Sequence, residues 1–233
     1  VMTSGYDRPG ERGKTWMDKQ RHVLLVLPHP DDESHISGTL ARYVQQGTPV
    51  TYVCLTLGEM GRNMGKPIIA NRLTLPEIRK RELEQSCRSI GIQDLRMWGY
   101  HDKTVEFEDR DALAGRIADL IRELKTSLVI TFYPGFSVHP DHEACGEAVI
   151  RAVESFPAAE RPTVHCVAFS AGCEEILGPP DVVNDVSDFM KQKMGSFHAH
   201  RSQFQLMVGD RSFDDPQWKA WWGTERFWTY RFS

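Results

Sequence analysis

The sequence predicts an α/β protein in which a mostly parallel central sheet lies between two layers of helices. Two observations predict this class. Short, continuously apolar runs, such as HVLLVL at residues 22–27, are typical of strands buried on both faces of a sheet. These runs alternate along the chain with amphipathic stretches of helical period. A repeated strand–helix order of this kind favours a parallel sheet with helices on both sides.

The individual elements follow in order from residue 22 onward. The first helical stretch is apolar along one side, and Gly47 is placed to end it. A glycine-rich loop, GEMGRNMG from Gly58 to Gly65, follows the second strand. The region 186–204 is predicted to be helical, and the tail after it is rich in tryptophan, for which core filling is the simplest role. The predicted strands are 22–27, 50–57, 95–100, 128–133 and 164–169, and the other predicted helices are 36–44, 75–90, 112–125 and 142–156.

These elements predict a Rossmann-like three-layer sandwich folded as one domain. A chain of 233 residues is long enough to bury a large core. No linker, repeat or low-complexity tract divides it, so we expect a single domain over residues 22–233. Residues 1–21 are polar and basic without an apolar centre, which predicts an N-terminal extension and not a secretory signal.

Composition excludes several classes of partner. The net charge is -4 and both signs are mixed along the chain, so nucleic acid is not an expected partner. No apolar run approaches the roughly 20 residues that cross a bilayer, so membrane insertion is not expected. The 5 cysteines are scattered and form no CxxC pair, which favours free thiols in a reducing cytoplasm.

Two segments rich in acids and histidine each follow a predicted strand. PHPDDES covers residues 28–34, and HPDHE covers residues 139–143. Ligands bind outside the carboxyl ends of strands in an open parallel sheet, so the two segments meet if their strands are neighbours. Catalytic zinc takes three protein ligands from His, Asp or Glu. His29 and Asp32 are spaced to point at one spot, and Asp31 between them can reach a bound water.

Each segment alone has a simpler interpretation. Carboxylates at a helix start cap free N–H groups, and a lone HPDH is often a surface turn. The pairing of two such segments at strand ends favours a shared metal site. His139 and His142 repeat the spacing of the first pair. Asp141 lies between them, where its carboxylate can orient His139 and favour the charged imidazole.

The paired motifs PHPDDE and HPDH resemble those of the PIG-L/LmbE-type zinc deacetylases. The resemblance covers nearly all of the chain after the extension. These enzymes hydrolyse N-acetylglucosamine derivatives, and their fold is the one expected here. The resemblance implies that His29, Asp32 and His142 bind zinc. It further implies that Asp31 is the general base and that His139 is the second catalytic group.

Within that family, GEMGRNMG and PEIRKRE resemble the bacillithiol-branch deacetylases, which act on N-acetylglucosaminyl malate. The resemblance implies that Arg79 lines the substrate pocket and binds a substrate carboxylate. Arg62 in the glycine-rich loop and His200 in AHRSQ are further candidates for substrate binding. Mycothiol-branch relatives carry a tyrosine where this chain has Ser137, which counts against that branch.

The expected function is therefore zinc-dependent removal of the acetyl group from N-acetylglucosaminyl malate. Two alternatives stay open: a deacetylase of another acetylated amino sugar or chito-oligosaccharide, and a catalytically inactive metal-binding protein. Other divalent first-row metals would also accept this His/Asp set. The expected partner is a small acetylated amino sugar, and the resemblance allows a homo-oligomer.

Overall fold

A computed structural model describes residues 17–232 and places seven strands in one sheet. Residues 1–16, most of the expected N-terminal extension, lie outside the described part of the chain. The first five strands are parallel, and the last strand pairs antiparallel with both of its neighbours. The strands are β1 (Val23–Leu27), β2 (Val50–Thr56), β3 (Asp94–Tyr100), β4 (Leu128–Phe132), β5 (Thr163–Val167), β6 (Val182–Asp185) and β7 (Thr224–Thr229). Their spatial order is β3-β2-β1-β4-β5-β7-β6.

Helices cover both faces of this sheet. Alternate side chains of β1 enter two separate cores, because successive residues of a strand point to opposite faces. Leu24 and Val26 pack with the helices at 110–124 and 140–154, whereas Leu25 and Leu27 pack with those at 37–45 and 75–90. The predicted three-layer α/β sandwich is confirmed. The helices are α1 (Ser37–Gln45), α2 (Leu75–Ile90), α3 (Arg110–Leu124), α4 (Pro140–Glu154), α5 (Cys173–Leu177), α6 (Met190–Ala199), α7 (Arg201–Val208) and α8 (Pro216–Trp222).

The C-terminal third differs from the prediction in its details. The region 186–204, predicted as one helix, forms a short 3-10 turn followed by α6 and α7. The two helices are interrupted at His200, whose φ of -84° and ψ of 57° leave the helical region. The tryptophan-rich tail forms α8 and β7. Trp218 and Trp228 fill the interior as expected, whereas Trp221 is exposed.

Strand β7 is joined to the helical layer by a buried carboxylate. Glu225 accepts hydrogen bonds from the backbone N–H groups of Gly38 and Thr39, at 2.9 and 2.7 Å, and so satisfies the first turn of α1. The fully buried ammonium of Lys193, on α6, pairs with the same carboxylate. One side chain therefore ties together β7, α1 and α6.

The order of the strands brings the two acidic-histidine segments together. β1 pairs in parallel with β2 on one side and with β4 on the other. The chain moves outward from β1 to β3 and then returns to β4, so a topological switch point lies between β1 and β4. Open α/β sheets bind ligands in the crevice at such a point. PHPDDES follows β1 and HPDHE follows β4, as the prediction required.

Two further observations concern the helices and the cysteines of residues 17–232. None of the helices within residues 17–232 has the length and apolarity needed to cross a membrane. All five cysteines are buried and unpaired. Burial raises the pKa of the Cys54 and Cys145 thiols, which keeps them protonated and unreactive.

Candidate active site

Three side chains from the two segments converge at the switch point. The Nδ1 atom of His29 lies 3.2 Å from Nε2 of His142 and 3.4 Å from Oδ2 of Asp32. The other oxygen of Asp32 lies 3.3 Å from Nε2 of His142. His29 follows the end of β1, Asp32 is the first residue of the 3-10 turn after it, and His142 lies in the first turn of α4.

The spacing of these donor atoms fits a tetrahedral metal ion. Two ligand atoms about 2.1 Å from zinc at a tetrahedral angle lie about 3.4 Å apart. The separation of the two imidazole nitrogens, 3.2 Å, is close to that value, and each nitrogen has one of the two Asp32 oxygens at 3.3 or 3.4 Å. Two imidazole nitrogens and one carboxylate are also an ordinary donor set for a divalent first-row ion. The residues present therefore could hold such a metal.

The second nitrogen of His29 has partners of its own. Nε2 of His29 lies 3.1 Å from Oδ2 of Asp141 and 3.2 Å from Oδ1 of Asp102. Burial alone would lower the pKa of His29, but the carboxylates of Asp102, Asp141 and Asp32 raise it well above the usual value. A proton held on Nε2 leaves the lone pair of Nδ1 free for a metal, as in carboxylate–histidine–metal triads.

His142 is oriented by its surroundings in the same way. Its Nδ1 lies 3.1 Å from the carbonyl oxygen of Ser137, which accepts the ring proton and leaves Nε2 free. Phe132 stacks on the ring with centroids 4.0 Å apart. Asp32 lies between the two imidazoles; although burial opposes this, they hold the pKa of Asp32 well below its usual range. Asp32 is therefore a carboxylate at neutral pH.

Asp31 adjoins this cluster in a strained backbone conformation. Its φ of 95° lies in the left-handed region, which non-glycine residues rarely adopt. Its N–H donates to Oε2 of Glu33 at 3.0 Å, and its Oδ2 accepts from Arg79 at 2.6 Å. Burial raises the pKa of Asp31 to about 6, although the Arg79 guanidinium opposes the shift. Strain held in place by specific contacts is typical of functional sites.

His139 faces the same space from the start of α4. Its Nδ1 accepts a hydrogen bond from the backbone N–H of Asp141 at 3.2 Å, which caps the helix. Its ring lies edge-on to His29 with centroids 4.9 Å apart. Burial lowers the pKa of His139, and the nearby imidazoles of His29 and His142 lower it further.

The predicted contact between Asp141 and His139 is wrong in its geometry. The Asp141 carboxylate contacts Nε2 of His29 and accepts from the backbone N–H groups of Lys103 and Val105, at 2.7 and 3.2 Å. Only the backbone of Asp141 bonds to the ring of His139. Nor is the charged form of His139 favoured, because burial and two neighbouring imidazoles outweigh the carboxylate.

A cavity of about 600 Å³ opens above the cluster. Small-molecule sites typically have volumes of about 300–1,000 Å³. Arg62 lies on its wall, and its contact with substrate stays a prediction. The side chains that line it are His29, Asp31, Asp32, Met60, Arg62, Arg79, Asp102, Lys103, Glu106, Pro140, His139 and His142, with Gly61 between them.

Two predicted substrate-binding residues have other partners. Arg79 reaches the cavity wall but is only 3% exposed, and its guanidinium donates to Asp31 and to the carbonyl oxygens of Pro30 and Gly58. Its guanidinium therefore already contacts a carboxylate of the protein, that of Asp31. His200 does not line this cavity at all: it is fully buried, and its Nε2 lies 2.6 Å from Glu33.

Sequence reasoning missed Asp102, Lys103 and Glu33. Asp102 and Lys103 directly follow β3, whose carboxyl end faces the same edge of the sheet as β1. The rule that found the two motifs would have found HDK at 101–103 had it been applied to every strand. Glu33 gave no signal, because its partner His200 is distant in sequence.

The parallel sheet and the acid–histidine cluster in its switch-point cavity are typical of an α/β enzyme that acts on a small molecule. The family model described as PIG-L, GlcNAc-PI de-N-acetylase, matches residues 24–153, which contain both motifs. The chain belongs to the PIG-L family.

Similar proteins extend the match over the rest of the chain. A Bacillus cereus protein named "Probable N-acetyl-alpha-D-glucosaminyl L-malate deacetylase 2" is 50% identical over 92% of this chain and 100% of its own length. A Kineococcus radiotolerans protein named 1D-myo-inositol 2-acetamido-2-deoxy-alpha-D-glucopyranoside deacetylase is 32% identical over 59% of this chain and 46% of its own. The solved N,N'-diacetylchitobiose deacetylase of Pyrococcus horikoshii shares the fold, with a TM-score of 0.67, 22% identity and coverage of 91% of this chain and 84% of that one.

Proposed function

We propose that this protein hydrolyses the acetamide of N-acetylglucosaminyl malate, as part of bacillithiol synthesis, to give acetate and the free amine. One observation carries the reaction class: the imidazole nitrogens of His29 and His142 lie 3.2 Å apart with the Asp32 carboxylate beside both, and Asp31 adjoins them at an open cavity. The substrate rests on the 50% identity to the B. cereus protein over its full length. We propose zinc as the metal held by the three donors.

The residues around the cavity have the chemistry that amide hydrolysis needs. Asp31, fixed by Arg79 and Glu33, takes a proton from the attacking water and is placed to return it to the departing nitrogen. His29, Asp32 and His142 would hold the metal, which would supply Lewis acidity to the water and to the carbonyl. Because Nδ1 of His139 accepts from the backbone, the proton of the neutral ring lies on Nε2. That N–H is the donor we assign to the developing oxyanion.

The remaining ionic groups act through these residues. Asp102 and Asp141 hold the proton on Nε2 of His29 and so keep the opposite nitrogen available to a metal. Arg79 is a positioning residue for Asp31, not a binder of substrate carboxylate. We also propose a cytoplasmic location, because five buried, unpaired cysteines suit a reducing compartment.

Acetate release from N-acetylglucosaminyl malate by protein of known metal content tests this function. Asp31→Asn removes the base but no metal donor, so we expect normal metal content and kcat reduced by about 10²–10⁴-fold. His142→Ala removes a donor and should lose both metal and activity. Asp119→Asn, at an exposed carboxylate on α3, is the matched control and should behave as the wild type. Normal turnover by Asp31→Asn would show that another group is the base.

A further inference from the structure

We propose that Lys103 and Arg62 form a pair of cations at the cavity that selects substrates carrying carboxylates on the group attached to the sugar. This inference rests on the proposed function and deepens it by naming the residues that recognise the anionic part. Both side chains line the cavity, and both are exposed.

The ionic contacts within the cavity single out these two cations. Asp31 is paired with Arg79, and Asp32 and Asp102 face the imidazoles of His29 and His142. Arg79 is therefore already committed to a carboxylate of the protein. In the described part of the chain, no carboxylate forms a salt bridge with Lys103 or Arg62.

The backbone of Lys103 is held rigidly at the cavity wall. Its φ is 67°, in the left-handed region, and its N–H donates to Oδ2 of Asp141 at 2.7 Å. The preceding residue, Asp102, accepts from the N–H of Met60 and donates its own N–H to Glu59, at 2.9 and 3.1 Å. The ammonium thus extends from a fixed point next to a residue that contacts His29. A fixed origin reduces the entropy lost when the side chain binds an anion.

The loop that carries Arg62 is fixed from the other side. The guanidinium of Arg72 donates to the carbonyl oxygens of Glu59 and Gly61, at 2.8 and 2.9 Å. Met60, in the same loop as Arg62, donates its N–H to Asp102, which precedes Lys103. The segments that carry the two cations are therefore neighbours joined by a hydrogen bond. Both cations belong to adjoining segments of the cavity wall, and we expect the group attached to the sugar to bind beside them.

This arrangement fits a dicarboxylate better than a neutral sugar. A guanidinium binds a carboxylate through two parallel hydrogen bonds, and an ammonium acts as a compact point charge. Malate offers one carboxylate to each. Glu106 also lines the cavity, and its negative charge opposes the pair. Neutralising Glu106 should consequently have the opposite effect to neutralising Lys103.

Parallel assays with two substrates test the proposal: N-acetylglucosaminyl malate and the uncharged methyl glycoside of N-acetylglucosamine. For Lys103→Ala and for Arg62→Ala we expect kcat/KM for the malate glycoside to fall by about tenfold or more, mainly through KM. For the methyl glycoside we expect values within about twofold of the wild type, which also shows that the variants are folded. Lys103→Arg should keep most of the preference, and Glu106→Gln should increase it.

The control is Lys66→Ala, which removes a cation from the same loop but outside the cavity. It should leave both substrates unchanged. If the wild type prefers the malate glycoside and both alanine variants keep the full preference, the cation pair is wrong while the proposed function stands. If the wild type hydrolyses both substrates equally well, the inference and the malate assignment fall together. If it hydrolyses neither, the malate assignment is wrong, and the inference that rests on it falls with it.

Discussion

Three consecutive acids, Asp31, Asp32 and Glu33, have three different environments. Asp32 lies between two imidazoles that hold its pKa well below the usual range, although burial opposes this. Burial raises the pKa of Asp31 to about 6, against the charge of Arg79. Glu33 is fully buried, yet His200 lowers its pKa. One turn of chain therefore contains the proposed metal donor Asp32, the candidate base Asp31 and the buried partner of His200, Glu33.

Glu33→Gln tests the anchor. Glu33 pairs with buried His200 at 2.6 Å and accepts the N–H of Asp31, so its charge holds both the break between α6 and α7 and the strained loop. Loss of one partner of a buried ion pair costs about 3–5 kcal/mol. We expect the free energy of unfolding to fall on this order in urea denaturation. Glu77→Gln, in an exposed pair with Arg81, should change it by less than about 1 kcal/mol.

Equal, small effects of the two Gln substitutions would show that Glu33 does not anchor this loop.

The difference between Asp31 and Glu33 also shows what the sequence can predict about single residues. Asp31 was placed beside the metal site by its position between His29 and Asp32 in one short motif. Glu33 has the same chemistry and the same neighbours in sequence, but its partner arrives from the far end of the chain. Long-range polar pairs leave no local pattern.

At the scale of elements, the loop after β2 depends on one glycine. Gly58 has a φ of 62°, and a Cβ added there would lie 1.9 Å from a guanidinium nitrogen of Arg79. Gly58→Ala must therefore displace the group that positions Asp31. Because a displacement of about 1 Å at a catalytic group can cost 10²-fold in rate, we expect kcat/KM for deacetylation to fall about 10–100-fold.

Gly47→Ala is the matched control for this substitution. Gly47 also has a positive φ, 76°, but nothing lies within 4 Å of an added Cβ. It should lose about 1 kcal/mol of stability through backbone strain and keep normal turnover. Similar kinetics of the two variants would contradict the role given to Gly58.

We expect His165, on β5, to make the stability of the protein depend on pH. Burial lowers the pKa of His165 in the folded protein. In the unfolded chain the ring keeps its usual pKa of about 6.5, so as the pH falls the unfolded chain takes up the proton first. The stability contributed by the neutral ring is therefore complete above that pH and is lost as the pH falls through the folded-state value. His165→Gln should flatten the fall in Tm between pH 7 and pH 5. An equally steep fall in the variant would show that His165 makes no contribution.

The elements also differ in how far sequence predicts them. β1, β2 and β4 are buried on both faces, and their continuous apolar runs matched the structure within one or two residues. β7 alternates between exposed and buried positions and lies in a segment dominated by tryptophan, which hid its period. The split of 186–204 into α6 and α7 depends on the buried contact of His200 with Glu33, which helical periodicity does not contain.

At the scale of the whole molecule, the order of the strands brings two motifs that are distant in sequence into one site. The prediction that PHPDDES and HPDHE meet required only that β1 and β4 be neighbours, and their parallel pairing confirms it. The same rule marks HDK at the end of β3, but its contact with His29 does not follow from the sequence, because β2 lies between β3 and β1. The proposed metal donors thus come from chain segments on both sides of the switch point.

This arrangement predicts that metal and global stability are linked. His29 and Asp32 follow β1, whereas His142 belongs to α4, so an ion bound to all three exists only in the folded chain. A ligand at one hundred times its Kd stabilises the native state by about 2.7 kcal/mol. Removal of metal by a chelator should lower Tm by about 5–10 °C for a domain of this size, and added zinc should restore it. His142→Ala should show neither the loss nor the recovery, since its donor set is incomplete. A chelator effect of the same size in His142→Ala would place the stabilising metal elsewhere in the molecule.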